Sequence, residues 1–128
     1  MSYLVHADEQ HQLVEVVYNG PITISTRICA MEDGALLLQA RQYARVLVDL
    51  SAATAAPEPP EANNAFATRM AQRPRMRDSR LAYVTRPDMH ATLLAAHALV
   101  GNVASTRHAE LRHFHSRDEA LHWLLTGS

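Results

Sequence analysis

The chain has 128 residues, a formal net charge of −1, 48% hydrophobic residues and 20% charged residues, a composition typical of one soluble globular domain. The near-zero charge argues against a polyanion binder and a membrane-surface protein. No apolar run could span a bilayer, no signal peptide is recognisable, and the single cysteine, Cys29, excludes an internal disulfide. We therefore expect one cytoplasmic domain over residues 1–128 that binds neither nucleic acid nor membrane.

The N-terminal third predicts two strands and a helix. Tyr3 to His6 predicts a short strand, and Leu13 to Tyr18 is rich in β-formers and ends at a turn signal, Asn19-Gly20-Pro21. Ile22 to Ser25 alternates like a further strand. A longer pattern with helical spacing competes with it, formed by Ile24, Ile28, Met31, Ala35 and Leu38. The longer pattern favours a helix from about Thr23 to Arg41.

The middle of the chain predicts a buried strand, a loop and a short helix. Val46 to Val48 is continuously apolar, as expected of a central parallel strand covered on both faces. Leu50 to Pro60 contains three prolines and many small residues, which indicates a loop. Ala62, Phe66 and Met70 mark a short helix that must end before Pro74, because the residue preceding proline disfavours helical geometry.

The remaining pattern alternates strand and helix. Arg80 to Val84 predicts a strand, about Pro87 to Asn102 a helix, and Glu110 to Phe114 a strand whose polar alternation indicates a sheet edge. The order ββαβαβαβα predicts an α/β fold with a mixed, mostly parallel five-stranded sheet and helices on both faces.

A closing helix follows the last strand. Ser116 and Glu119 have the spacing of a capping box, in which each side chain satisfies a free backbone N–H at the helix start. Apolar residues then recur at steps of three and four, at Ala120, Leu121, Leu124 and Leu125. Trp123 is expected to dock this helix onto the sheet, because a large ring buries much apolar area.

The chain resembles the STAS/SEC14-like, or SpoIIAA-like, domain family. The resemblance depends on Val16 to Gly20, on Val46 to Leu50, on Leu81 to Val84, and on Phe114, Ala120 and the Trp123-Leu124 pair. It implies a small α/β sandwich, often dimeric, without cofactor or known catalytic residues. It also implies a non-enzymatic regulatory or protein-interaction module. The antagonist branch of the family is phosphorylated on a serine after the second of these strands, but Ala55 to Pro60 has no hydroxyl there, so that switch does not carry over.

A candidate ligand site lies at the carboxyl edge of the predicted sheet. Ligands of open parallel sheets usually sit there, and this edge would gather Ser51 and Thr54 from one loop and Thr85 and Arg86 from another. The backbone amides opening the helix at Pro87 would join them, so the alternative function is binding of a small apolar or anionic ligand. The competing interpretation is that Ser51 and Thr85 only cap turns and helices and that Arg86 is solvated.

The helix predicted from Pro87 is apolar on more than one side, so it must be covered on more than one side. A homodimer or protein-partner interface, ordinary core and a ligand pocket are the alternatives. The candidate interface residues are Met89, His90, Leu93, Leu94 and His97.

Other chemistry-bearing residues predict no catalytic or metal site. His113 and His115 share a strand face, as metal-binding pairs often do, but no third ligand follows at zinc-like spacing. Arg69, Arg73 and their neighbours predict a solvated loop or pairing with Glu58 and Glu61. Cys29 is expected to be a small buried hydrophobe of the first helix.

Overall fold

The computed structural model of this chain describes residues 3–55, 61, 65, 68–69, 72–73, 78–86 and 110–127. Its elements are β1 (Tyr3–Asp8), β2 (Leu13–Ile22), α1 (Ile24–Arg41), β3 (Arg45–Ala55), β4 (Arg80–Val84), β5 (Glu110–Phe114) and α2 (Arg117–Thr126). The helix predicted from Pro87, with its candidate interface at Met89, His90, Leu93, Leu94 and His97, lies outside the described residues. So do Ala62, Phe66 and Met70 of the short helix.

The five strands form one sheet in the order β1-β2-β3-β4-β5. β1 pairs antiparallel with β2, and the other neighbours pair in parallel. The predicted mixed, mostly parallel α/β sheet is therefore confirmed. β5 lies at one edge of this sheet, as its polar alternation predicted, and β1 lies at the other.

The prediction of a turn at Asn19 is wrong, and so is the loop predicted over Leu50 to Pro60 as far as Ala55. Residues 56–60 lie outside the described residues. β2 continues to Ile22 and β3 to Ala55, because residues 19–22 pair with residues 52–55. The register shifts between Val17 and Asn19, so two residues of β3 lie opposite one residue of β2. Such a bulge absorbs an extra residue, and Gly20 at φ 75° supplies the unusual backbone nearby. The turn signal thus marks a bulge within a long strand pair.

Helix α1 begins and ends at residues with matching capping chemistry. Thr23 is its N-cap, and the Thr23 hydroxyl oxygen accepts a hydrogen bond from the Thr26 N–H at 3.2 Å. Gln42 ends the helix in the left-handed conformation, with φ 61°. The predicted helix boundaries are therefore confirmed within a residue, and the buried side is the predicted apolar face.

Two ties hold α1 against the first strand. The Tyr3 hydroxyl donates to Asp33 Oδ2 at 2.8 Å, and this hydrogen bond is the main reason that the pKa of Tyr3 is raised. Eight residues further along α1, the Arg41 guanidinium donates to Glu9 Oε1, just beyond β1. Both ties are exposed, so they fix the alignment of α1 along β1 more than they stabilise the fold.

The sheet has a core on each face. On the α1 side, alternate residues of β2, β3 and β4 form the larger cluster, which includes Val14, Val16, Val46, Val48 and Leu81. On the other side lies a smaller cluster of Leu13, Leu47, Ala82, Val84, Ala120, Trp123 and Leu124. Since Val46 and Leu47 are both fully buried, β3 is covered on both faces, as predicted.

Helix α2 covers the second face and is fixed at both ends. The Ser116 hydroxyl oxygen accepts from the Glu119 N–H at 3.4 Å, which is the serine half of the predicted capping box. At the other end, Gly127 has φ 82° and its N–H donates to the Trp123 carbonyl at 2.7 Å. The Trp123 ring is buried against Phe114, with ring centroids 5.8 Å apart, and the guanidinium of Arg80 lies 5.4 Å from it.

One prediction about α1 is wrong, and another residue of this helix has partners that the sequence analysis did not predict. Cys29 is exposed, because it lies outside the buried face of α1, which is formed by Ala30, Met31, Gly34, Ala35 and Leu38. Arg73 binds Glu32, with Nε–Oε2 and Nη2–Oε1 distances of 2.7 and 2.8 Å, and Arg69 joins the same carboxylate. Glu58 lies outside the described residues. Among the described residues, no helix has the length and apolarity needed to cross a membrane.

Replacing Trp123 by alanine should lower the free energy of unfolding by about 3–5 kcal/mol. The substitution removes the large ring from the smaller core cluster, which lies between α2 and the sheet and is called the second core below. Urea unfolding followed by circular dichroism measures the loss. The neighbouring exposed His122, changed to alanine, should lie within about 0.5 kcal/mol of the parent. Equal losses of unfolding free energy for the two substitutions would contradict the burial of Trp123 between α2 and the sheet.

The protein should lose stability as the pH falls below about 4, partly through Glu32. The Arg73 guanidinium lowers the pKa of Glu32 by hydrogen bonding, so this carboxylate contributes stability above its unfolded-state pKa and loses it on protonation. Glu32→Gln should flatten the acid side of a stability profile measured by urea unfolding. The exposed Glu61→Gln is the control, and equal profiles for the two variants would refute the role of Glu32.

Candidate functional site

Thr85, just after β4, joins the carboxyl ends of β4 and β5. It is 2% exposed. Its N–H donates to the Phe114 carbonyl at 3.0 Å, and its hydroxyl shares a hydrogen bond with Nε2 of His113. The Thr85 carbonyl accepts from Nδ1 of His115 at 3.1 Å, so that nitrogen carries the proton. All three polar groups of Thr85 therefore serve to connect the two strand ends.

Arg86 makes the corresponding link from β4 to β3. Its Nη1 donates to the Ser51 carbonyl at 2.7 Å and its Nη2 to the Ala53 carbonyl at 3.0 Å. The Ser51 hydroxyl and N–H both donate to Asp49 Oδ1. These contacts satisfy backbone carbonyls at the bulged part of β3, where the regular ladder is interrupted.

The structure brings three of the four predicted ligand-site residues together. Arg86, which directly follows Thr85, binds the Ser51 carbonyl at the carboxyl edge of the sheet, while Thr54 lies exposed near the end of β3. The amides from Pro87 onwards lie outside the described residues. The ligand-binding role of the four residues stays a prediction, and the observed contacts favour the competing interpretation that these groups hold strand ends.

His113 and His115 lie beside this cluster. Their ring centroids are 5.2 Å apart with the rings nearly perpendicular, and each ring bonds to a different atom of Thr85. Within the described part of the chain, no group of three His, Cys, Asp or Glu side chains is placed to hold a metal ion. The two histidines therefore brace the edge of the sheet.

A second constellation lies on the α2 face around Glu15, which is 6% exposed. Arg117 binds its carboxylate through both oxygens, with Nε–Oε2 and Nη2–Oε1 distances of 3.2 and 3.0 Å. His6 Nε2 lies 3.2 Å from Oε1. Hydrogen bonding to Glu15 raises the pKa of Arg117, with further contributions from the charges of Asp49 and Asp8. The buried carboxylate thus has a bidentate partner and a second donor.

The sequence holds two signals for this constellation, although neither predicted it. Glu15 is a charged residue inside a run of strand-forming apolar residues, which indicates either an exposed face or a buried partner. Arg117 is the first residue of α2, where a cation opposes the helix dipole. A cation at that unfavourable position is accounted for by the carboxylate it binds.

The opposite, amino-terminal edge of β3 to β5 borders a cleft of about 460 Å³, a volume within the range of small-molecule sites. Arg45 and Arg80, neighbours across β3 and β4, line it. Arg45 donates to the Leu124 carbonyl at 3.0 Å and Arg80 to the Trp123 carbonyl at 3.3 Å. Both cations therefore bind the last carbonyls of α2, where positive charge also complements the helix dipole.

No protein-family model and no curated protein matches this sequence. Among solved structures, the chain is similar to an uncharacterised protein of the DUF3478 family from Shewanella loihica PV-4, which has a SpoIIAA-like fold. The TM-score is 0.54 at 15% identity, over 95% of this chain and 91% of that one. The chain therefore has a SpoIIAA-like fold, as its resemblance to that family predicted.

Arg117→Ala should lower the free energy of unfolding by about 2–3 kcal/mol, because it leaves the Glu15 carboxylate buried without its bidentate partner. The 44% exposure of the Arg117 side chain sets the loss below that of a fully buried pair. Urea unfolding measures the change.

The double variant Glu15→Met/Arg117→Met should recover most of this loss, since two apolar side chains can replace a partly buried ion pair. Independent, additive losses from the two positions would contradict the pairing.

Proposed function

We propose that this SpoIIAA-like domain is a non-enzymatic regulatory or protein-interaction module that acts in the cytoplasm as a homodimer. The observation that carries the proposal is the internal pairing of the polar groups at the carboxyl edge of the sheet. Arg86 binds two backbone carbonyls, Ser51 binds Asp49, and Thr85 bonds through its hydroxyl to His113.

Such pairing supports a scaffold more than a reaction centre. A nucleophile or general base must reach substrate while held by its own activating partner. Thr85 has an imidazole partner but is 2% exposed, so substrate would have to displace the strand ends to reach it. The groups that would supply chemistry at this edge instead stabilise the ends of β3, β4 and β5.

The proposed partner surface must lie elsewhere on the domain. Among the described residues, the exposed large hydrophobic side chains are Leu4, Leu36 and Leu125, which lie on β1, α1 and α2. The interface predicted around Leu93 and Leu94 lies outside the described residues and stays a separate prediction. The similar solved structure is itself uncharacterised, so it supplies the fold and no partner.

A small-molecule binder at the carboxyl edge is the second candidate. The observation in its favour is that Ser51, Thr85 and Arg86 converge where ligands of parallel sheets usually bind. An anionic ligand would have to replace the two carbonyls that Arg86 now binds. Such a ligand would therefore bind in competition with the link between β4 and β3.

Native mass spectrometry of the purified protein separates the two candidates. An interaction module should show the mass of one or two polypeptides without a bound molecule. A stoichiometric small-molecule adduct that survives in Arg112→Ala, an exposed change on β5, but disappears in Arg86→Ala would contradict the module and support the binder.

A further inference from the structure

We propose that two copies of this chain associate through the outer edge of β1, which would extend the sheet from five strands to ten. The proposal rests on the proposed function and names its interaction surface. A strand at a sheet edge presents a row of backbone donors and acceptors that can pair with another chain.

The two edges of the sheet differ in how they are protected. β5 carries a charged residue at Glu110 and another at Arg112 within five residues. β1 has no lysine, no proline and an uninterrupted register with β2, and its only formally charged residue, Asp8, is its last. Because monomeric proteins normally block edges with charges, prolines or bulges, β1 is the edge suited to pairing. Leu4, in its middle, is 55% exposed.

The β1 sequence is self-complementary in one antiparallel register. With Val5 opposite the partner's Val5, Leu4 faces the partner's His6 and Tyr3 faces the partner's Ala7, and Asp8 stays outside the paired stretch. A register centred on His6 would oppose two imidazoles and set Leu4 against a carboxylate. Side-chain pairing therefore favours the two-fold axis at Val5.

The position of α1 adds a second contact to this pairing. α1 packs equally on β1 and β2, so its axis lies above the space between them. With neighbouring strands about 4.8 Å apart, two such helices across the axis would lie about 9.5 Å apart, within the usual 8–10 Å of packed helices. Pairing of the β1 strands would thus also pack the α1 helices.

The charges on this side of α1 are complementary under the same symmetry. Tyr3 is level with Asp33 and Glu9 with Arg41, through the two ties described above. Linear interpolation between the two ties therefore places Val5 level with about residue 36, one residue before the midpoint of Asp33 and Arg41. An antiparallel pair of α1 helices centred there leaves each Asp33 and the partner's Arg41 about two residues, or about 3 Å, apart along the helix axis, twice per dimer.

Sedimentation velocity over a concentration series tests the proposal. The parent protein should dimerise with a dissociation constant of roughly 10–100 µM, as expected for an interface at the small end of the range. Val5→Lys should weaken association at least about tenfold, because it sets two ammonium groups opposite each other. Leu111→Lys is the matched control: Leu111 is also a partly buried apolar residue of an edge strand, packed in the same core. It should leave the constant unchanged.

A charge exchange on α1 keeps the test decisive if Val5→Lys fails to fold. Asp33 and Arg41 are both exposed, so Asp33→Arg and Arg41→Asp should leave the circular dichroism spectrum unchanged. Each should weaken the dimer and the combined variant should restore it. A parent protein that stays monomeric throughout the series, or equal constants for Val5→Lys and Leu111→Lys, would overturn the proposal. A dimer that persists in Val5→Lys would refute association through the β1 edge but would leave the proposed interaction module standing. A bound small molecule in the native mass spectrum would instead refute the interaction module.

Discussion

The fold depends on the closure of α2 over the second face of the sheet. Leu13, Leu47, Ala82 and Val84 point to that face, and within the described residues α2 supplies the side chains that cover them. Because β3 is buried on both sides, a sheet covered by α1 alone would expose its central strand to water. Trp123 provides the largest buried ring of this contact, and Phe114 of β5 packs against it.

Electrostatic ties at its two ends give α2 its orientation. At the amino end, Arg117 binds the buried Glu15 carboxylate, and at the carboxyl end Arg45 and Arg80 bind the last carbonyls of the helix. The two ends differ in kind, since the first tie satisfies a buried charge and the second complements unsatisfied carbonyls. Together they connect α2 to β2, β3 and β4.

Most of the fold could be predicted because its elements carry strong local signals. The apolar period of α1, the doubly buried Val46–Val48 run and the Ser116 cap each depend on residues close together in sequence. The errors arose where distant pairing decided the structure. The residue types of Asn19 to Pro21 are typical of a turn. In the structure, however, these residues pair with β3, and the strand therefore continues through a bulge.

The candidate site was predicted less completely, for the same reason. The topology correctly gathered Ser51, Thr85 and Arg86, because the carboxyl ends of parallel strands meet. Whether Arg86 faces a ligand or a backbone carbonyl depends on local geometry that spacing does not encode. The Glu15–Arg117 pair joins residues about one hundred positions apart. Its two sequence signals, a charge within an apolar strand and a cation at a helix start, do not identify each other as partners.

The solvent accessibility of Trp123 tests the closure of α2 most directly, because it is the single tryptophan in the sequence. If α2 covers the second core, the native protein should fluoresce at shorter wavelength than the unfolded chain, and acrylamide should quench it several-fold less efficiently. Native emission and quenching equal to those of the urea-unfolded protein would show that α2 does not close over the sheet.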